Sequence, residues 1–308
     1  MQNEIILSTE ELTKKYGNQT SVNQVSLNVR KGRIYGLLGR NGAGKTTIMK
    51  MILGLTSVSE GRISVFSQPL KGNARKIYPR IGSIIETPGF YSNLTGTENL
   101  QVFARLRGTI NKTAIQNALS VVGLPYKDHK TFSSYSLGMK QRLGIANAIL
   151  NDPEMLILDE PTNGLDPIGI AEIRIFLKKL CHEQGKTILI SSHILSEIAL
   201  LADDIGIIHE GLLLEESTLD QLKKKSEQYI LIQAPDTAKA SYHLENELGI
   251  TNYSVEDDQF IRIYDLQKEV SAIGQSFFHA GIHLTHLELC IDNLEDYFKK
   301  ITGGVGIA

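Results

Sequence analysis

The residues with the clearest chemistry form one short run, Gly39-Arg40-Asn41-Gly42-Ala43-Gly44-Lys45-Thr46-Thr47. The run fits the pattern G-x-x-x-x-G-K followed by Ser or Thr. Its glycines let the backbone turn tightly, so that successive N–H groups point inward at an anion. We therefore predict a phosphate-binding loop over residues 39–47. Lys45 would reach the β- and γ-phosphates of a nucleotide, and the Thr46 hydroxyl would ligate Mg²⁺.

The segments on either side of this loop have the character needed to hold it. Residues 34–38 are apolar and indicate a buried strand, and residues 46–55 favour a helix. The positive N-terminal end of such a helix adds to an anion site. A bare match to the motif occurs by chance, but the strand before it and the helix after it favour a true phosphate loop.

A second group of candidate residues follows an apolar run at residues 155–158. Such a run is typical of a central parallel strand buried on both faces, and open α/β sheets bind ligands at the carboxyl ends of their strands. Asp159 fits the role of a Mg²⁺ partner, and Glu160 is placed to orient or deprotonate an attacking water. The alternative is a strand exit that carries two solvated acids.

Two further side chains have both a structural and a functional interpretation. His193 follows an apolar strand at residues 187–190, so it is predicted at the same sheet edge as Asp159 and Glu160. It could reach a γ-phosphate there, although a lone histidine is more often structural. Tyr16 lies upstream of the phosphate loop, where it either packs at a strand edge or stacks on a nucleobase.

The composition sets limits on the class of protein. The 308 residues are enough for two domains, and 42% apolar with 21% charged residues is typical of a globular protein. A net charge of −2 gives no support for a nucleic-acid partner. We expect neither a membrane-spanning segment nor a signal peptide. Cys181 and Cys290 lie far apart in the sequence, which favours a reducing cytosol over a disulfide framework.

The other predicted elements of the first two thirds are strands and helices. The predicted strands cover residues 5–7, 11–16, 25–29, 61–65 and 81–85. Predicted helices open at about Thr95 and Lys112, with Thr95 or Thr97 as a candidate N-cap and Glu98 in the first turn. Because these helices interrupt the strand pattern, we predict a helical subdomain at about residues 92–150.

The pattern changes after a predicted helix at about residues 218–225. The last quarter has the order β-α-β-β-α-β, with its last strand predicted at residues 282–287, and then a helix at about 293–301. This order predicts a small α+β domain over residues 226–302 that resembles a ferredoxin-like sandwich.

The motifs, taken in their order, resemble the nucleotide-binding subunit of ATP-binding-cassette (ABC) transporters over about residues 4–220. Residues 135–139 resemble the signature loop, usually Leu-Ser-Gly-Gly-Gln, and residues 163–166 resemble the loop that crosses a dimer interface. The resemblance implies an α/β P-loop NTPase cassette at residues 4–222, with the helical subdomain carrying the signature loop.

The resemblance also implies a role for each candidate residue. Lys45, Glu160 and His193 would be catalytic, with His193 as the switch histidine of the family. Mg²⁺ would be bound by Thr46, Glu86 and Asp159. ATP would contact the base-stacking aromatic, the phosphate loop and the signature loop, which here are Tyr16, Gly39, Arg40, Asn41, Gly42, Ala43, Gly44, Lys45, Thr46, Thr47, Ser136 and Gly138.

Three residues depart from the pattern of the family. Arg40 replaces a proline in the phosphate loop, and Leu137 replaces the first glycine of the signature pair, although Ser136 and Gly138 are kept. Glu86 replaces a glutamine that helps ligate Mg²⁺ and senses the membrane partner. Glutamate here, followed by residues 87–91, resembles the subgroup that exports peptide antibiotics and serves bacitracin resistance and lantibiotic self-immunity.

The family mechanism requires partners. Two copies would pair head to tail around two ATP molecules, with Ser136 acting on the ATP held by the second copy. The pair would drive a separate integral membrane permease, which places the chain at the cytoplasmic face of the membrane. The alternatives are an exporter of another cargo, a mechanical membrane system, or a cassette ATPase of translation or DNA repair. Translation-type members normally carry two cassettes and repair-type members carry long coiled-coil insertions, and the sequence indicates neither.

Overall fold

The computed structural model describes residues 4–86, 89–108, 111–224, 228–256, 259–291 and 294–302. The chain divides into two compact units, the first ending at Leu219 and the second beginning at Asp220. The predicted boundary at residues 222–226 lies just C-terminal to this division. No helix among the described ranges has both the length and the apolar character that crossing a membrane requires.

The strands and helices alternate along most of the chain. In chain order the strands are β1 (Ile5–Tyr16), β2 (Gln19–Val25), β3 (Asn28–Arg30), β4 (Ile34–Leu38), β5 (Glu60–Val65), β6 (Gln68–Pro69), β7 (Ile81–Ile84), β8 (Met155–Asp159), β9 (Thr187–Ser192), β10 (Asp204–His209), β11 (Leu212–Thr218), β12 (Gln228–Gln233), β13 (Tyr253–Glu256), β14 (Phe260–Ile263) and β15 (His286–Ile291). The helices are α1 (Lys45–Ile52), α2 (Ala74–Ile77), α3 (Gly96–Leu106), α4 (Lys112–Val121), α5 (Leu137–Ile149), α6 (Pro167–His182), α7 (Leu195–Leu201), α8 (Leu219–Lys224), α9 (Thr237–Asn246), α10 (Val270–His279) and α11 (Leu294–Ile301).

The central sheet of the first unit has the strand order β11-β10-β4-β9-β8-β7. Its strands are parallel except for β11, which pairs antiparallel with β10 at one edge. Every residue of β4 and β8 is buried, as continuous apolar runs predict for central parallel strands. Because parallel strands end at the same edge, Leu38, Asp159 and Ser192 all lie at the carboxyl edge of this sheet.

A second, antiparallel sheet in the same unit is built around β1, with the order β2-β1-β5-β6 and β3 also paired to β1. The prediction of two short strands at residues 5–7 and 11–16 was wrong, because the polar residues between them stay paired. Ser8 pairs with Ser64, and Thr9 pairs with Ile63 and donates its hydroxyl to the Val25 carbonyl at 2.9 Å. The single strand predicted at residues 25–29 was also wrong, since β2 ends and β3 begins inside that range.

The helical part begins at α3, and its N-terminus has the capping pattern that the sequence predicted. Thr95, rather than Thr97, is the N-cap. Its side chain accepts from the Glu98 N–H at 3.2 Å, and the Glu98 carboxylate accepts from the Thr95 N–H at 2.8 Å. The two bonds together satisfy two backbone donors at the helix end. The bonds that the carboxylate accepts from the Thr95 N–H and hydroxyl lower the pKa of Glu98.

The second unit contains a four-stranded antiparallel sheet in the order β13-β14-β12-β15. Numbered within this unit, the order is 2-3-1-4, which is the split βαβ arrangement of ferredoxin-like domains. The predicted fold is therefore confirmed. The last strand was predicted at residues 282–287, but β15 begins at His286. Ile282 lies in the segment after α10 and donates its N–H to the Phe277 carbonyl at 3.0 Å. Its side chain is buried in the core of the unit, which explains an apolar residue at a position outside the strand.

The buried carboxylate of Asp204 links β10 to two arginines, one in β3 and one directly before β4. Asp204, 3% exposed at the start of β10, accepts two hydrogen bonds from Arg33 at 2.8 Å. It accepts two more from Arg30, one from Nε at 3.0 Å and one from Nη2. The bond to Asp204 raises the pKa of Arg33. Both guanidinium groups are only partly buried, so the loss on breaking the cluster is smaller than for a fully buried pair.

We predict that Asp204→Ala lowers the free energy of unfolding by about 2 kcal/mol, because two partly buried cations lose their common partner. Urea unfolding followed by circular dichroism measures this. Asp152→Ala is the matched control, since the Asp152 side chain is 90% exposed where it pairs with Lys186. We expect this control to change the unfolding free energy by less than about 1 kcal/mol. Equal losses in both variants would contradict the prediction.

Candidate active site

The predicted phosphate loop connects β4 to α1, and its glycines are required by the backbone. Gly44 has φ +108°, in the left-handed region that disfavours side chains. Gly39 has no room for a side chain, because a Cβ would lie 2.4 Å from the carbonyl oxygen of Ile208. The loop closes on itself where the Ala43 N–H donates to the Arg40 carbonyl at 3.1 Å. The predicted start of the following helix is confirmed to within one residue, but α1 ends three residues earlier than expected.

Lys45 lies at the centre of this loop and is only 4% exposed. Its ammonium donates to the carbonyl oxygens of Gly39 at 2.6 Å and Arg40 at 3.1 Å. It also lies 3.2 Å from Oε1 of Glu160. The cation therefore joins the phosphate loop to the acidic end of β8.

Asp159 ends β8 and is held by two hydroxyl groups. Its Oδ2 accepts from Thr46 Oγ1 at 2.8 Å, and its Oδ1 accepts from Ser191 Oγ at 2.5 Å. Asp159 is 8% exposed, and Ser191 is completely buried. A hydroxyl oxygen and a carboxylate oxygen this close together are ligands that Mg²⁺ prefers, so the residues fit the predicted ion.

Glu160 follows Asp159 directly, and both its backbone and its carboxylate have hydrogen-bond partners. Its backbone has φ +45°, and its N–H donates to Ser191 Oγ at 2.9 Å. Its Oε2 lies 2.6 Å from Nδ1 of His193, which comes from the end of β9 as predicted. The structure thus brings Lys45, Glu160 and His193 into one cluster, joined by the Lys45–Glu160 ion pair and the Glu160–His193 contact.

Sequence reasoning did not single out Ser191 as a site residue. Its one hydroxyl donates to Asp159 and accepts from the backbone of Glu160, so it positions both acids. The signal available in the sequence was a serine near the end of a buried apolar strand, two residues before the predicted switch histidine.

The remaining predicted contacts lie around this cluster. Glu86 follows β7 with φ +59°, and its Oε1 pairs with Lys50 Nζ at 2.6 Å. Tyr16 ends β1 with half of its surface exposed, and the ammonium of Lys14 lies 4.7 Å from the centre of its ring. The half-exposed ring fits both predicted roles, stacking on a nucleobase and packing at a strand edge. Two of the residues quoted after Glu86, at positions 87 and 88, lie outside the described residues.

The signature loop forms a separate contact. Ser136 is the exposed N-cap of α5 and accepts from the Met139 N–H at 3.3 Å. The side chain of Leu137 lies against Gly164, where an added Cβ would come within 2.7 Å of it. A Cβ on Gly138 would lie 3.6 Å from Leu165. The signature loop therefore packs on the loop at residues 163–166. In the phosphate loop, Asn41 and Gly42 are exposed, Ala43 is buried, and Arg40 and Thr47 are partly exposed.

Comparison with known proteins identifies the family. The profile described as "ABC transporter" matches residues 22–163. The chain is 54% identical over 305 residues to the bacitracin transport ATP-binding protein BcrA of Enterococcus faecalis, with 99% of each chain covered. It is 49% identical over 299 residues to the protein of the same name from Bacillus licheniformis, covering 97% of this chain and 98% of that one. The lantibiotic transport ATP-binding protein SrtF of Streptococcus pyogenes is 46% identical over 215 residues, which is 70% of this chain and 92% of SrtF.

Solved structures agree with these sequence relatives. A structure described as the ATP-binding subunit of an ABC transporter has a TM-score of 0.63 and 30% identity, and it covers 71% of this chain and 92% of its own. The cassette MJ0796, solved as a dimer bound to ADP and phosphate, has a TM-score of 0.63 and 25% identity over 69% of this chain and 98% of its own. The family and the P-loop NTPase fold predicted from the motifs are confirmed. The chain belongs to the ATP-binding proteins of ABC transporters, which are ATPases.

Proposed function

We propose that this ATPase powers a separate membrane permease that exports a peptide antibiotic of the bacitracin type. The observation that carries the proposal is the extent of the similarity. The likeness to two bacitracin transport ATP-binding proteins runs through both compact units of the chain. The likeness to the lantibiotic transport protein leaves almost a third of the chain unmatched, so lantibiotics are the second choice of cargo. We take residues 4–222 as the cassette and residues 226–302 as an accessory domain.

The contacts of Lys45 support a role in binding the triphosphate. The ammonium already lies among the carbonyl groups of the loop, at the N-terminal end of α1, where anions are stabilised. On ATP binding, Lys45 would exchange these carbonyls for oxygens of the β- and γ-phosphates. The inward backbone N–H groups of residues 39–47 would bind the same phosphates, and Tyr16 would stack on the adenine.

The acidic cluster supports the hydrolysis step. Glu160 would accept a proton from the attacking water, and the 2.6 Å contact with His193 would hold its carboxylate in place. Thr46 and Asp159 would hold Mg²⁺, which neutralises charge on the phosphates when it is bound, whereas the Glu86 carboxylate pairs with Lys50. Ser191 would hold both acids in position, through its hydrogen bond to the Asp159 carboxylate and the one it accepts from the Glu160 N–H.

The position of Ser136 supports action on a second copy of the chain. It is exposed at the N-terminus of α5 and packs beside the loop at residues 163–166. In a head-to-tail dimer it would complete the site around the ATP bound by the other copy. The dimer would work on the permease at the cytoplasmic face of the membrane.

A resistance experiment tests this function. The gene is deleted in its host, and growth is measured against a panel that contains bacitracin, several lantibiotics and antibiotics that are not peptides. The deletion strain is complemented with the wild type or with Glu160→Gln. We expect sensitivity to bacitracin that only the wild type rescues.

Two results would contradict the proposal. Rescue by Glu160→Gln would mean that resistance does not need ATP hydrolysis. Unchanged sensitivity to every peptide antibiotic would refute the cargo while leaving the ATPase family intact.

A further inference from the structure

A lysine without an assigned function faces the candidate active site. Lys50 lies on α1, five residues after Lys45, and its ammonium is 2.6 Å from Oε1 of Glu86. The two residues come from different elements, because α1 follows the phosphate loop and Glu86 follows β7 at the edge of the parallel sheet. The ion pair thus connects the helix of the phosphate loop to the segment that follows β7.

The electrostatic neighbours of Lys50 are also residues of the site. Besides the hydrogen bond to Glu86, which has the largest effect, Asp159 and Tyr16 contribute to a raised pKa of Lys50. Lys50 is two thirds buried at its side chain, whereas Glu86 is mostly exposed. The lysine is therefore the less exposed of the two partners.

The charge of Glu86 creates a problem that this pairing solves. A site that binds a triphosphate already contains the carboxylates of Asp159 and Glu160. Glu86 adds a negative charge that shares with Asp159 the electrostatic neighbour Lys50. Like charges oppose the binding of an anion unless a cation compensates them. The 2.6 Å contact places such a cation on Glu86 itself.

We propose that Lys50 is a positioning residue of the ATPase site, which holds the Glu86 carboxylate and cancels its charge so that MgATP binds at full strength. This inference rests on the proposed function, since it requires Glu86 to lie near the bound nucleotide. It assigns to Lys50 an effect on ATP binding and little effect on the chemical step.

The first measurement separates these two effects. Steady-state ATPase activity of the purified full chain gives KM for MgATP and kcat for the wild type and for Lys50→Met. We expect KM to rise about three- to tenfold and kcat to change less than twofold, because the unpaired Glu86 charge repels the nucleotide. The difference in KM between Lys50→Met and the wild type should shrink at about 1 M salt, because Lys50 and Glu86 are partly exposed and salt screens their charges. Lys50→Arg keeps the charge and should stay within about twofold of the wild type.

A matched control removes a similar ion pair elsewhere. Lys186 lies 2.5 Å from Oδ1 of Asp152, just before β9 at the amino edge of the sheet. Lys186→Met loses the same charge from the chain, and we expect it to leave KM unchanged. An equal rise in KM for both variants would show a general charge effect and overturn the proposal.

A double-mutant cycle tests the link between the two residues. If Lys50 acts through Glu86, then Lys50→Met should raise KM in the wild-type background but not in the Glu86→Gln background. An equal rise in both backgrounds would overturn the proposal. Failure of the proposed function is distinguishable, because the deletion strain would then keep its resistance to bacitracin whatever KM values the purified variants give.

Discussion

Glu160→Gln should bind ATP with an affinity within about twofold of the wild type and hydrolyse it at least about 100-fold more slowly. The substitution keeps the size and shape of the side chain but removes the group that accepts a proton from water. General-base catalysis of this kind contributes about 10²–10⁴-fold to a rate. The variant should therefore separate ATP binding from ATP hydrolysis.

The geometry explains why the loss should be confined to the chemical step. The backbone of Glu160 is fixed by its bond to Ser191, and this bond does not depend on the side chain. A glutamine oxygen can still accept a hydrogen bond from Lys45 or His193, so the cluster keeps its arrangement. The phosphate loop and Lys45 are unchanged, and they supply the contacts to the triphosphate.

Three measurements check this prediction. Nucleotide affinity comes from equilibrium binding of a fluorescent ATP analogue, and the rate comes from phosphate release. Size-exclusion chromatography with MgATP should show a trapped dimer, because ATP that is not hydrolysed holds two copies together. Glu183→Gln, at an exposed position after α6, is the control and should hydrolyse ATP normally. A wild-type rate in Glu160→Gln would remove Glu160 from its proposed role.

The parts of the fold that the sequence predicted are those encoded by local patterns. The central strands β4 and β8 are buried on both faces, so each appears in the sequence as an unbroken apolar run. The capping pair of Thr95 and Glu98 is separated by three residues and needs no distant partner. The phosphate loop was predictable because its glycines meet requirements of the loop backbone itself.

The parts that the sequence did not predict depend on partners far along the chain. β1 continues through its polar residues because Thr9 finds the carbonyl of Val25 across the sheet. Ser191 acts on Asp159, 32 residues away, and Lys50 reaches Glu86, 36 residues away. No periodicity marks such pairs, since they are formed by the order of the strands in the sheet. The motif residues Lys45, Glu160 and His193 lie together as the sequence predicted, whereas the residues that position them were not predicted. The roles of the motif residues in binding and hydrolysis stay predictions.

The second large effect is expected at the cation of the phosphate loop. Lys45→Met should weaken ATP binding about 10- to 100-fold, because hydrogen bonds to charged groups contribute about 1.5–3 kcal/mol each. Methionine keeps most of the length of the side chain, and the Lys45 side chain is only 4% exposed, so the loop should keep its packing. Equilibrium binding of the same fluorescent analogue measures the loss, and thermal unfolding checks that the variant is folded.

Lys45→Arg tests whether the charge alone is sufficient. The guanidinium group is planar and larger than an ammonium, and it must enter a space in which Lys45 already contacts Gly39, Arg40 and Glu160. We therefore expect Lys45→Arg to bind ATP almost as weakly as Lys45→Met. Binding near the wild-type value in Lys45→Arg would mean that the loop requires only a positive charge.

Combining Lys45→Met with Glu160→Gln distinguishes the effects of these two substitutions. Lys45 lies 3.2 Å from Glu160, so the residues share a contact and their effects on hydrolysis should not add. In Lys45→Met the rate falls because ATP is bound weakly and is misplaced, whereas in Glu160→Gln it falls because the base is missing. The double variant should bind ATP like Lys45→Met and hydrolyse it little more slowly than Glu160→Gln. A loss of hydrolysis equal to the product of the two single losses would show that the cation and the base act independently.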